Sequence, residues 1–335
     1  MYNIERKFYS VGQALFCRET VNNRTIVYDC GGQTKPIVKR VILSEYPHKG
    51  TSTIDALFIS HYDRDHINGV FYLLNQCKVA HLILPIVSPL SRLVSFYGGR
   101  YSLELENFYA EPRGYIQQRY TETRVHYVAQ TESSEQANEP TEFDRLDDID
   151  ESRIFQLRFK DNPDWIYVPY NRKFMTPMEE RDFLCKLHLP LNATFDDILS
   201  MWKLQNLSLK RIVKEMGIID INKINDYSMT LYSGCIHERN ACLFLGDYNA
   251  SNYFKELNKA YSPLWGNIRM IQVPHHGSAY NYNCGLCQKS TEYVVSNSGG
   301  PYKMKQVDPT EVIWHINHIT RERCYMTDNG NVILH

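Results

Sequence analysis

Apolar residues along this chain gather into short runs that stop abruptly at polar, ligand-type side chains. Ala56-Leu57-Phe58-Ile59 is followed by Ser60-His61-Tyr62-Asp63-Arg64-Asp65-His66. Leu243-Phe244-Leu245 is followed by Gly246-Asp247, and Ile271-Gln272-Val273 by Pro274-His275-His276-Gly277-Ser278. Runs of this length read as buried strands. Further strands are predicted at Ala14–Cys17 and Thr25–Asp29, around a turn at Asn22-Asn23, and at His81–Leu84, Ser228–Tyr232, Glu292–Ser296 and Val332–Leu334. Helical spacing runs over Pro36–Tyr46, which opens with a proline suited to a first turn, and over Ile67–Gln76, Asn252–Tyr261 and Asp308–Ile319.

Strands and helices alternate at both ends of the chain, around a centre of different character. This predicts one α/β catalytic unit formed by residues 1–90 and 216–335, interrupted by an insertion over 91–215. Within the insertion, about 130–152 is polar and acidic and reads as a mobile loop or interaction segment. About 176–216 turns helical, with apolar stripes at Phe195–Leu199 and Ser208–Val213. No internal repeat is present.

With 335 residues, 43% of them hydrophobic, the chain can bury a substantial core. A net charge of −1 gives no global electrostatic footprint for nucleic acid or a membrane surface, which argues against a non-specific DNA coater. The first residues lack the apolar core of a signal peptide, and no run approaches membrane-spanning length. Nine irregularly spaced cysteines form no disulfide framework. The expected setting is the cytoplasm, with no membrane partner. Cys284-Gly285-Leu286-Cys287 reads as a pair of loop thiols, because no second close pair follows to complete a zinc ribbon.

The chemistry lies where the apolar runs end. A strand running into a short loop can aim His61, Asp63, Asp65 and His66 at one point, and imidazole with carboxylate is the donor set of a hydrolytic metal centre. Asp247 stands at the end of another strand, a placement suited to a carboxylate that bridges two cations. His275 and His276 end a third, beside a glycine that permits close backbone approach. Asn225-Asp226-Tyr227-Ser228 offers a further carboxylate just before a strand. No Ser/His/Asp or Cys/His signature of a side-chain nucleophile is apparent.

In these motifs the chain resembles the metallo-β-lactamase superfamily, and within it the nuclease-like branch of ComEC-type DNA-uptake proteins. The resemblance is carried in order by Val11-Gly12-Gln13, Asp29-Cys30-Gly31, Ser60-His61-x-Asp63-x-Asp65-His66-x-x-Gly69, Asn225-Asp226-x-Ser228, Gly246-Asp247, His275-His276-Gly277-Ser278 and Thr327-Asp328-x-Gly330. It implies a four-layer αββα sandwich, an α/β (α+β) fold with a largely helical and loop insertion, and two divalent metal ions at one edge of the sheets. By carry-over, His61 and Asp63 would bind one ion with Asp226 as a third ligand. Asp65, His66 and one of His275 and His276 would bind the other, and Asp247 would bridge. His276 is favoured as ligand because it lies two positions before Ser278, leaving His275 to orient or transfer protons. Asp29 would brace the metal loop.

Two departures matter. Asp63 stands where most of the superfamily has histidine, and this richer oxygen set places manganese level with zinc. Val307-Asp308-Pro309 stands where the branch has Gly-His-Pro, so a proton-donating histidine there would be lacking, and His315 and His318 on a predicted helix are not substitutes. The expected activity is metal-assisted hydrolysis of a phosphodiester, with nucleic acid the first-choice substrate and with Asp65, Asp247 or His275 as proton carriers. The alternatives are hydrolysis of a small phosphoester, cyclic nucleotide or lactone, and a partner-binding subunit whose metals are structural and which docks through 91–215. In that stretch Tyr97, Tyr101, Tyr109, Tyr115, Tyr120, Tyr127, Tyr167 and Tyr170 are candidates to stack bases, and Arg92, Arg100, Arg113, Arg119 and Arg124 candidates to pair with phosphates.

Overall fold

The computed structural model describes residues 2–86, 103–131, 140–148, 156–172, 177–186, 188–194, 197, 200, 228–297 and 307–335. In chain order the strands of the first half are β1 (Ile4–Phe8), β2 (Phe16–Val21), β3 (Arg24–Cys30), β4 (Thr53–Phe58), β5 (Lys78–Pro85), β6 (Arg124–Val128), β7 (Gln130–Thr131), β8 (Thr141–Glu142), β9 (Leu157–Arg158) and β10 (Trp165–Arg172). The second half adds β11 (Thr230–Cys235), β12 (Ala241–Phe244), β13 (Ile268–Gln272), β14 (Glu292–Val295), β15 (Cys324–Met326) and β16 (Val332–Leu334). The helices are α1 (Lys35–Glu45), α2 (Arg64–Ile67), α3 (Val70–Gln76), α4 (Leu103–Ala110), α5 (Pro112–Arg119), α6 (Pro177–Lys186), α7 (Ala250–Ala260) and α8 (Thr310–Thr320).

Among the described residues these strands form two sheets. One has the order β16-β1-β2-β3-β4-β5-β6, the other β15-β14-β13-β12-β11-β10-β9-β8, with β7 paired to β10. The sheets face each other across one apolar layer. Alternate residues of the central strands point into it: Ile26 and Tyr28 of β3, Ala56 and Phe58 of β4, Cys242 and Phe244 of β12. Their neighbours point outward, Val27 and Leu57 under α1 and α3 and Leu243 under α7 and α8. A strand buried on both faces must be apolar at every position, which is why these segments read as continuous runs. The result is a mixed α/β fold of four layers, helix–sheet–sheet–helix. Across the inner layer Tyr28 stacks on Phe244 at 5.0 Å, and its hydroxyl donates to the Met229 carbonyl at 2.7 Å.

Most of the predicted elements are present, with shifted ends. The helix expected over Ile67–Gln76 is split into α2 and α3 at Asn68-Gly69, where the Gly69 N–H donates to the Cys30 carbonyl at 2.8 Å and the Asn68 Oδ1 accepts from the Gly32 N–H at 2.9 Å. The stretch 91–215, set apart by its composition, supplies β6 to the first sheet and β8, β9 and β10 to the second, and its acidic part includes a short 3-10 turn at Phe143–Asp148. The stripes at Phe195–Leu199 and Ser208–Val213 lie outside the described residues, apart from Asp197. Among the described residues no helix is long and apolar enough to cross a membrane.

Candidate metal centre

Every ligand-type residue that the structure describes in the motifs sits at the same end of the two sheets. His61, Asp63, Asp65 and His66 follow β4, Asp247 follows β12, and His275 and His276 follow β13. Crevices beyond the carboxyl ends of strands are where α/β folds place ligands. Gly31, at the end of β3, lets the Asp63–His66 turn press against the sheet, since a Cβ there would fall 1.6 Å from the Asp65 carbonyl oxygen. At the end of β13 the chain turns through three consecutive left-handed residues, His275 (φ 47°), His276 (φ 54°) and Gly277 (φ 87°). Asp29 is left-handed too, at φ 55°. Such conformations cost non-glycine residues roughly 1–3 kcal/mol each and gather at functional sites. Here they are held by side-chain hydrogen bonds.

The two oxygens of Asp247 face different partners. Oδ1 lies 3.1 Å from His66 Nε2 and 3.7 Å from His276 Nε2, and His276 Nε2 lies 3.2 Å from Asp65 Oδ2. Oδ2 lies 3.9 Å from His61 Nε2 and 3.7 Å from His275 Nε2, and His61 Nε2 lies 3.8 Å from Asp63 Oδ2. The ligand atoms of Asp65, His66, Asp247 and His276 all fall within 4.8 Å of one another, a group that could hold a divalent ion. Asp226 lies outside the described residues.

All four imidazoles are aimed the same way. His66 Nδ1 donates to Asp29 Oδ2 at 2.7 Å, His276 Nδ1 to the Ser296 carbonyl at 2.9 Å, and His275 Nδ1 to Asn281 Oδ1 at 2.8 Å. His61 Nδ1 meets the hydroxyls of Ser60 at 2.9 Å and Ser228 at 3.0 Å. Ser60 Oγ donates to Asp29 Oδ2 at 2.7 Å, which frees its lone pairs for His61. Nδ1 therefore carries the proton in each ring and Nε2 faces inward, the orientation that outer partners impose on metal-binding histidines. His61 Nε2, His66 Nε2 and Asp247 Oδ1 are buried without a hydrogen-bond partner, even where His66 and Asp247 approach to 3.1 Å. A buried polar atom left so costs about 1–3 kcal/mol. Such atoms, His66 Nε2 with Asp247 Oδ1 on one side of the carboxylate and His61 Nε2 on the other, fit cations.

The electrostatics agree. Burial pushes the Asp247 carboxyl up, but His66, His275 and His276 together hold it well below the usual range. Burial likewise opposes ionisation of Asp65, and His66 and His276 bring it down to about 2. His66 is raised well above an ordinary histidine despite its burial, because Asp247, Asp29 and Asp65 surround it. His276 is raised by Asp247 and Asp65 in the same way. His61, buried and repelled by His66, falls to about 3. The field that keeps protons on His66 and His276 is the field that would keep a cation in their place.

Other sequence candidates are used elsewhere. Tyr109, Tyr115, Tyr167 and Tyr170 are buried in the core and are not available to stack bases, whereas Tyr97 and Tyr101 lie outside the described residues. Arg113 donates to the Val125 carbonyl, Arg119 to the Tyr115 hydroxyl, and Arg124 pairs with Asp147. Arg92 and Arg100 lie outside the described residues. His315 meets the Tyr282 hydroxyl, His318 stacks on Trp314, and Asp308 accepts from the Thr310 N–H at the start of α8. Asn281 and the orienting roles of Ser60 and Ser228 carry no signal of their own in the sequence, because these residue types are ordinary in turns.

A family model described as the metallo-beta-lactamase superfamily matches residues 17–116. No curated protein matches the chain. Among solved structures the chain is similar to the metallo-beta-lactamase fold protein YhfI from Bacillus subtilis, at 8% identity over 98% of this chain and 99% of that one, with a TM-score of 0.43. It is also similar to a diphosphatase of the PhnP family, at 8% identity over 97% of this chain and 87% of that one, with a TM-score of 0.40. A third is the apo state of the chemotaxis sensor ODP from T. denticola, at 12% identity over 93% of this chain and 88% of that one, with a TM-score of 0.32. The match to the metallo-beta-lactamase superfamily model is thus confined to residues 17–116, and the two facing sheets flanked by helices are consistent with that superfamily's α/β sandwich.

Proposed function

We propose that the chain is a metal-dependent hydrolase of phosphodiesters, with nucleic acid as its substrate. The observation that carries this reading is the division of Asp247, whose two oxygens serve two separate groups of inward-facing donors. In this reading His61, Asp63 and Asp226 would hold one divalent ion, zinc or manganese, Asp65, His66 and His276 would hold the other, and Asp247 would serve both. Such a pair supplies an acidified water and charge neutralisation for a phosphoryl group.

The chain's own residues do the rest. His61, His66, Asp247 and His276 are buried, whereas the side chains of Asp65, Asp63 and His275 are 36%, 26% and 25% exposed. The substrate therefore meets the centre on the side of these three. Asp65, beside His276 and open to solvent, takes the proton of the attacking water. Asp247 keeps the two donor groups in register, and His275 forms the rim beside Oδ2. Asp29 accepts from the Ser60 N–H, the Ser60 hydroxyl and His66, holding the loop rigid as the bond breaks.

The test is hydrolysis of bis(p-nitrophenyl) phosphate with manganese or zinc, by the full chain and by an Asp65→Ala/His66→Ala variant. Linear DNA, RNA and cyclic nucleotides follow. Turnover lost at least 100-fold in the variant, with DNA or RNA cut in preference to cyclic nucleotides, is expected. No turnover with either metal rejects the hydrolase, and preference for a cyclic nucleotide rejects the polymer substrate.

A further inference from the structure

We propose that His275 is itself a metal ligand, completing the donor set about Asp247 Oδ2, and that Asn281 is the positioning residue that makes it one. This rests on the two-ion reading above and replaces the proton-carrying role expected for His275. Donors bound to one zinc-like ion at about 2.1 Å sit no more than about 4.2 Å apart. His275 Nε2 lies 3.7 Å from Asp247 Oδ2, His61 Nε2 lies 3.9 Å from the same oxygen, and His61 Nε2 lies 3.8 Å from Asp63 Oδ2. These spacings are too long for hydrogen bonds and suit donors that share an ion.

The direction of the His275 ring is fixed from behind. Asn281 Oδ1 can only accept, so at 2.8 Å it requires the proton on His275 Nδ1 and leaves the Nε2 lone pair facing Asp247. The Asn281 amide is held in turn by its Nδ2, which donates to the Asp247 carbonyl at 3.2 Å. Its backbone is held by Ser278 and Ser251. Asn281 is buried and thus links the third ligand strand to the residue that both ions would share. The consecutive left-handed residues explain how neighbours in sequence reach opposite sides of one carboxylate, His276 to Oδ1 and His275 to Oδ2, each at 3.7 Å. His275 then stands with His61 beside the same Asp247 oxygen, with Asp63 next to His61, and offers a donor there in place of one from 226. Both histidines of the Oδ1 group are buried, whereas His275 of the Oδ2 group is partly exposed, so two affinity classes are expected.

The test is a zinc titration of the chelator-stripped full chain against a chromophoric competitor, with cobalt absorbance as second readout. Wild type is expected to bind two equivalents in two affinity classes. His275→Ala keeps the tighter class and weakens the other at least 100-fold, with changed cobalt bands for the second equivalent only. Asn281→Ala weakens the same class roughly 10–100-fold, as loss of an orienting partner does. Asn281→Asp, which retains an accepting oxygen, recovers it to within a few-fold. Circular dichroism of the apo forms checks folding, and His275→Gln is read in the same way where the alanine variant does not fold. Two equivalents bound by His275→Ala with wild-type affinity overturn the ligand assignment, and Asn281→Asp as weak as Asn281→Ala overturns the positioning role. A wild type that binds two ions but hydrolyses no phosphoester rejects only the proposed function. Fewer than two ions in the wild type reject both.

Discussion

His81 and His126 make an acid-sensitive pair inside the sandwich. His81 on β5 and His126 on β6 are both 3% exposed, with rings 5.3 Å apart. Arg124 donates to His81 Nε2 at 3.0 Å, so the proton of His81 sits on Nδ1, which donates to His126 Nε2 at 3.1 Å. His126 Nδ1 faces Asp147 at 3.9 Å. The chain of donors works only with both rings neutral. Burial and the nearby cations bring His81 down to about 3, and burial brings His126 down to about 4, although Asp147 pulls the other way. The unfolded chain protonates both near pH 6.5, so between that value and about 4 it binds protons that the folded chain refuses. The contribution is full above pH 6.5 and is lost as pH falls. At a limiting slope of about 1.4 kcal/mol per pH unit for each ring, lowering the pH from about 6.5 to about 4.5 costs at most ~2.7 kcal/mol per histidine, ~5 for the pair. Urea unfolding at both pH values, in chelator so that the metal centre contributes equally, compares wild type with His81→Gln/His126→Gln. The variant is expected to lose most of that pH dependence. Parallel stability profiles for the two proteins would refute the reasoning.

Three further outcomes follow from the described contacts. Asp29→Asn removes the carboxylate that accepts from Ser60 and His66, and zinc affinity falls roughly 10–100-fold in competition titration; wild-type affinity counts against the bracing role. Gly31→Ala places a methyl group on the Asp65 carbonyl and destabilises by about 1–3 kcal/mol or more in urea, whereas a neutral effect shows that the turn does not press there. Phe244→Ala empties the inner layer beside Tyr28 and costs about 3–5 kcal/mol by thermal unfolding; a loss below about 1 kcal/mol means that the layer collapses to fill the space.

The legible parts of this fold were those in which one local pattern did two jobs. Ala56–Ile59 and Leu243–Leu245 are apolar at every position because both faces are covered, and the first polar residues beyond them are the donors. β10 was not legible, because Pro169 interrupts it. It is tolerated there because β9 pairs only with Ile166 and Tyr167 and β7 only with Asn171 and Arg172, leaving the proline in the gap between them. β15 lies at the edge of its sheet and lacks a fully buried residue, so nothing demands an apolar run. The ligand types could be read from sequence, but their aim could not. Asn281 meets His275 only because the turn from Ser278 folds back, and Ser228, 167 residues after His61, reaches it from the segment just before β11.

The donors do not all belong to one sheet. The turn after β4 rides on the first, whereas Asp247, His275 and His276 ride on the second, and greasy contacts such as Tyr28 on Phe244 set how one slab lies over the other. A slip of a few tenths of an ångström between slabs is invisible to the oily interior yet spoils a cage whose spacings are fixed by chemistry. Swaps deep in that interior, remote from every donor, will detune the rim well before they melt the protein.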